Sequence, residues 1–111
     1  MIRKIAAVVA LCLLLGGCSM SRVMEREAYW QTETDAHLPV GTTKADAEAF
    51  FAARGLKLRC CIQSEWPWMH MASEHAVGGT LLVTYDVVVF VEFSADQKVS
   101  AVRVHRLGLG P

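Results

Sequence analysis

The chain has 111 residues, with 11 basic side chains balanced by 11 acidic ones and an apolar content of 53%. A neutral chain without a basic cluster lacks the electrostatic footprint of a nucleic-acid-binding protein. The length suits one small domain with one core, and the N-terminal segment inflates the apolar content, which therefore does not describe a membrane domain.

Arg3 and Lys4 precede an apolar run from Ile5 to Leu15 that only Cys12 softens. A short positive region followed by such a run is the layout of a secretory signal peptide. The run's 11 residues fall short of the roughly 20 that a spanning helix needs. Gly16, Gly17 and Cys18 follow, and no A-x-A-like cleavage site is present. Leu15-Gly16-Gly17-Cys18 resembles the lipobox of bacterial lipoproteins: an aliphatic residue for an apolar subsite, two small residues for a tight protease cleft, then the nucleophilic thiol. That resemblance implies removal of residues 1–17, a diacylglycerol group on Cys18 and acylation of the new amine. One acyl chain holds a protein only marginally, at about 0.8 kcal/mol per buried methylene, whereas two or three anchor it firmly. Ser19, in place of the aspartate that retains enterobacterial lipoproteins in the inner membrane, favours the outer membrane. The expected location is the cell envelope, lipid-anchored and facing the periplasm.

Loss of Arg3 and Lys4 with the signal leaves nine basic residues against 11 acidic ones, a mature net charge near −2. Residues 18–38 read as a lipidated tether, flexible or in part helical. Ser21 to Gln31 has a weak period near 3.6, and Thr32 to His37 is polar and without period. A flexible spacer is the favoured expectation; the competing one is a helix whose Tyr29 and Trp30 pack on the domain.

Residues 39–111 form the domain. The strongest helix spans 43–54, with Thr42 and Thr43 as capping residues and Asp46 three after Thr43, close to a capping box. Val40 could staple onto Ala47, Phe50 and Phe51 face a core, and Gly55 stands where a glycine ends a helix. Leu58, Cys60 and Ile62 alternate in a short strand. Trp66-Pro67-Trp68 interrupts, because proline is confined to strand edges and starts. Trp68 to Glu74 is a second strand, and Gly78-Gly79 a turn. Thr80 to Phe93 is the strongest strand: Leu81, Val83, Tyr85, Val87, Val89, Val91 and Phe93 share one face, opposite a mixed, partly wet face. Ser94 to Gln97 turns the chain, and Lys98 to Arg106 returns as the last strand. Its change of phase between Val99 and Val102 suggests a bulge or a late start. The expected fold is α+β: one or two N-terminal helices packed on a three- or four-stranded antiparallel sheet, in two layers.

Leu38-Pro39-Val40-Gly41-Thr42-Thr43-Lys44-Ala45-Asp46 resembles the start of the SmpA/OmlA (BamE-like) lipoprotein domain. Phe93-Ser94-Ala95-Asp96-Gln97-Lys98-Val99 resembles that family's closing hairpin. Three departures stand beside this: no Gly-x-Pro turn follows the helix, Ser94 replaces an aspartate, and Trp66 and Trp68 are foreign to the pattern. The resemblance, over about residues 38–106, implies a helix-pair-plus-sheet fold and a non-enzymatic role in envelope assembly or maintenance.

Among residues that could carry chemistry, Cys60-Cys61 stands in a compartment where free thiols are unusual. A disulfide, an intermolecular bridge and soft-metal ligation compete there with a buried cysteine beside an incidental thiol. Met69-His70-Met71 and His75 add thioether and imidazole, donors that suit Cu(I) alongside thiolate. Cys60, Cys61, His70 and His75 are thus the candidate metal ligands, although their spacing matches no zinc motif and alternating methionines commonly fill cores. Trp66 and Trp68 are candidate binding anchors or caps on the sheet end. No nucleophile, zincin or phosphate-loop motif is present, so no catalytic residue is expected. Nor is a cofactor expected beyond the lipid on Cys18. The sequence therefore suggests a membrane-anchored, non-catalytic binding or scaffolding module with an envelope protein as partner. A copper-binding or thiol-redox lipoprotein and a small inhibitor or immunity-type binder are the alternatives.

Overall fold

The computed structural model describes residues 18–61, 69–80 and 82–110. Two helices, α1 (Cys18–His37) and α2 (Lys44–Ala53), precede four strands: β1 (Arg59–Cys60), β2 (Met69–Gly79), β3 (Thr84–Phe93) and β4 (Val99–Leu109). The strands form one antiparallel sheet in the order β1-β2-β3-β4. The helices pack against it, giving the expected two-layer α+β architecture.

Residues 18–38 are not a spacer. Val23, Trp30, Thr34 and Leu38 are at most 3% exposed. Their spacings of seven, four and four put them on one face of a helix. The stripe is narrow and includes a threonine, so the apolar period in the sequence is faint. Trp30 is its centre: the ring lies 6.0 Å from Phe51 and 6.3 Å from Phe50. Two ion pairs pin the same helix to the sheet. Arg26 Nε and Nη2 donate to the two carboxylate oxygens of Glu74 at 2.6 and 2.7 Å, and Arg106 Nε lies 3.1 Å from Glu27. The bond to Glu74 raises the Arg26 pKa above its ordinary value, against a lowering from burial.

Helix α2 starts as the sequence predicts. Thr43 is the N-cap, its hydroxyl accepting the Asp46 amide at 3.2 Å, and Ala47, Phe50 and Phe51 are buried. Gly55 follows the Arg54 C-cap at φ +78°, the left-handed geometry that favours glycine. Arg54 stacks 3.8 Å over Phe50 and donates to Glu33 of α1 at 3.1 Å, so the end of α2 is tied to α1. The hydrophobic staple is absent, because Val40 is 77% exposed. The link between the helices instead lies along the start of β4, with Gly41 N–H donating to Val99 O at 2.8 Å and Val99 N–H to Thr42 O at 2.7 Å. Residues 41–44 and 97–99 therefore lie side by side.

The sheet departs from expectation at one hairpin. Gly78 and Gly79 are not the turn: they pair with Tyr85 and Thr84 as the last residues of β2. The turn closes four residues later, where Thr80 N–H donates to Val83 O at 2.8 Å, so β3 starts at Thr84 rather than Thr80. Gly79 is required there, since a Cβ would stand 2.1 Å from Val83 O. Val87, Val89, Val91 and Phe93 face the helices and are essentially unexposed. On the other face, Asp86 and Val88 are buried while Phe90 and Glu92 are half-buried. The phase change in β4 is a bulge: Glu92 pairs with Ala101 and Phe93 with Val99, leaving Ser100 as the extra residue. Strand β4 runs on to Leu109, beyond the expected end at Arg106.

Trp30→Ala should destabilise the domain by about 3–5 kcal/mol. A thermal melt unchanged by that substitution would show that α1 does not dock through Trp30.

Candidate functional site

Cross-strand partners in a sheet point to the same face, so register decides which donors can meet. Cys60 lies opposite His70, and Arg59 opposite Met71. His70 in turn pairs with Val91, whereas Met69 and Met71 pair with Glu92 and Phe90. Cys60 and His70 thus share the helix-covered face, and the two methionines occupy the other. Cys61 would point away from Cys60 in a regular strand, but its φ of +75° turns the chain. Its sulfur is bonded to that of Cys60 in a disulfide between neighbours.

The result is a compact group at the sheet edge. Ligand atoms of Cys60, Cys61 and His70 all lie within 4.8 Å of one another. The His70 ring is 5% exposed and stands edge-on to Phe93, with 4.8 Å between centroids. Cys60 is exposed and Cys61 half-buried. The group has a solvent side formed by sulfur and an inner wall formed by imidazole and phenyl.

His75 does not join it. Its Nδ1 lies 2.8 Å from Asp86 Oδ2, and the other carboxylate oxygen of Asp86 accepts the Ala76 amide at 2.8 Å. Ala76 is left-handed at φ +52°, within the register shift between Glu74 and Gly78. Asp86, 7% exposed, is therefore the clamp of the β2 bulge, with His75 as its outer partner. The sequence offered no sign of this role, because Asp86 reads simply as a polar residue on the wet face of a strand. Trp66 and Trp68, the candidate anchors, lie outside the described residues, as do Ile62, Leu81 and residues 1–17, the expected signal segment.

Two other features bear on binding. A groove of about 420 Å³ runs beside β2, lined by Leu56, Lys57, Arg59, Ser73, Glu74 and His75 among others. It exists because β1 pairs with β2 only at His70 and Met71. The second feature is an apolar end. Arg26 and Glu27 of α1 stand at the level of the paired residues Glu74, Val87 and Arg106. From there α1 runs back about 12 Å to Cys18, and β3 runs back about 10 Å to Thr84. The chain leaves the other end of α1 to bond Val99 through Gly41 and Thr42, beside Phe93 at the far end of β3, so α1 runs in the same sense as β3 and its N-terminal turn lies towards the β2–β3 hairpin end of the sheet. Leu82 (73% exposed), Leu109 (56%) and Leu107 (42%) are at that end, with Met24 (58%) on the helix beside it.

Comparison of the chain with protein-family models, curated proteins and solved structures found no match. No helix among the described residues is long and apolar enough to cross a membrane.

Without reductant, a thiol-alkylating reagent should leave Cys60 and Cys61 unmodified in the unfolded chain. Pretreatment with a dithiol should give two modifications, read by peptide mass. Alkylation of both cysteines before reduction would rule out the disulfide.

Proposed function

We propose that this chain is a lipid-anchored envelope protein, a non-catalytic binding module held on a membrane through Cys18. One observation carries the reading: the cysteine of Leu15-Gly16-Gly17-Cys18 belongs to α1, and α1 is packed and ion-paired onto the sheet. An acyl group there would be joined to the folded domain through a docked helix rather than a loose spacer. The domain would stand close to the bilayer in a restricted orientation, with the hairpin end and its exposed leucines towards the lipid. The groove beside β2, which offers charged side chains of both signs next to a strand with little pairing on that side, is the surface that best suits a protein partner. The resemblance to the SmpA/OmlA (BamE-like) lipoproteins supports a role in envelope assembly or maintenance, and Ser19 favours the outer membrane.

Cells grown with a fatty-acid analogue should label the wild-type chain and release it at the size of residues 18–111. Cys18→Ala should abolish the label and leave an uncleaved precursor. A mature-sized, labelled Cys18→Ala protein would rule out lipidation at this residue. In the same cells, a photocrosslinker at Ser73 should capture a discrete envelope protein that one at Ala95, on the distant turn, does not.

A further inference from the structure

We propose that reduction of the Cys60–Cys61 disulfide opens a three-donor soft-metal site, completed by His70, that takes one Cu(I) ion. The proposal is independent of the anchor, because it rests on the register of β1 and β2 and on the turn at Cys61.

Geometry removes the main objection to a site in this segment. The sequence places thiols, imidazoles and thioethers close together, but alternation allows only some of them to meet. The pairing of Cys60 with His70 selects one histidine and excludes Met69 and Met71. His75 stands five residues further along β2, about 16 Å from His70 at about 3.3 Å per residue, and is not among the converging ligand atoms. Two sulfurs and one imidazole lie within 4.8 Å of one another, on one side of the sheet edge. His70 is held by its place in the β2–β3 ladder and by its edge-on packing against Phe93. One donor is thus fixed before any metal arrives. Cys60 is exposed, which gives an ion a route from solvent.

The donor set decides the metal. Thiolates and imidazole are soft to borderline ligands, and three of them suit Cu(I). Structural zinc is almost always held by four protein ligands, and among the described residues the group has three. Hard cations require oxygen donors, which it lacks.

The oxidised pair cannot serve, because each sulfur is neutral and bonded to the other. A dithiol supplies the reducing equivalents. One of its thiolates attacks a sulfur of the pair, the S–S bond breaks, and a mixed disulfide forms. The second thiol of the reductant then displaces the remaining cysteine. Two electrons pass to the Cys60–Cys61 pair, and the dithiol leaves as a disulfide. The two protons end on the cysteine sulfurs and depart to solvent when Cu(I) binds. Copper loading is therefore gated by the thiol–disulfide balance around the protein.

The test uses the full chain purified from expressing cells, reduced with dithiothreitol, desalted without oxygen and titrated with Cu(I) against a colorimetric chelator. The reduced chain should take up one Cu(I), and the oxidised chain should not compete. The Cys60→Ser/Cys61→Ser variant, which keeps every other cysteine, should not compete either. His70→Gln should weaken binding by about 10- to 100-fold or more, given that loss of even an outer-shell partner costs that much. His70 packs on Phe93, so X-ray absorption on the loaded wild-type chain provides a measurement that does not depend on the variant's folding. Two sulfur neighbours and one nitrogen at copper are expected. Equal uptake by the oxidised chain, retention of copper by the double serine variant, an all-sulfur shell, or tighter binding of Zn(II) than of Cu(I) would each overturn the proposal.

Discussion

The burial of Trp30 is the contact on which the rest of this small domain depends. It stands midway along α1, has no exposed surface, and meets Tyr29 of its own helix and both phenylalanines of α2. A short sheet with one helix of ten residues offers little apolar area to bury, and domains of this size are marginal for that reason. Trp30 and Val23 extend the core onto a second helix. The ion pairs of Arg26 and Glu27 then settle where that helix lies along the sheet. They are half-exposed and contribute little energy by themselves, but they define the angle and register that packing alone leaves loose.

Docking of α1 has a consequence at each end of the molecule. At one end it brings the start of the helix to the β2–β3 hairpin, where apolar side chains stand uncovered on the strand and turn. At the other it delivers Leu38 to the core and leads the chain along β4, so that the turn into α2 is pinned by Val99. The same scaffold holds β2 at the sheet's outer side, where the two-residue β1 leaves most of the strand's length beside a groove. The Cys–Cys–His group sits where that brief pairing occurs. A buried imidazole and a surface disulfide meet there because a two-residue ladder is enough to fix which residue faces which.

Asp86 shows how a polar residue inside a valine strand supports such an arrangement. Its carboxylate accepts from the left-handed Ala76 and meets His75, which stabilises the irregular stretch of β2 that a regular ladder would not tolerate. A buried carboxylate with two partners is a sound solution, whereas one without them would be costly.

The sequence alone determined the elements whose signal is local. The cap at Thr43, the stop at Gly55, the alternation from Val87 to Phe93 and the change of phase before Val102 follow from backbone chemistry and period, and each was legible, although only the pairing of Phe93 with Val99 decided for a bulge over a late strand start. The α+β class follows from their order. Only the tertiary structure decided the state of residues 18–37, because a stripe of Val23, Trp30 and Thr34 carries too little periodicity to announce a helix and gains its stability from the surface it covers. It also decided the hairpin: adjacent glycines signal a turn by composition, yet here Gly79 is needed for the close approach of Val83 O, and the turn lies beyond it. Above all it decided which of the cysteines, histidines and methionines can act together. Strand register is set by long-range pairing, a shift of one residue exchanges the two faces, and the positive φ of Cys61 overrides the alternation that would have parted it from Cys60.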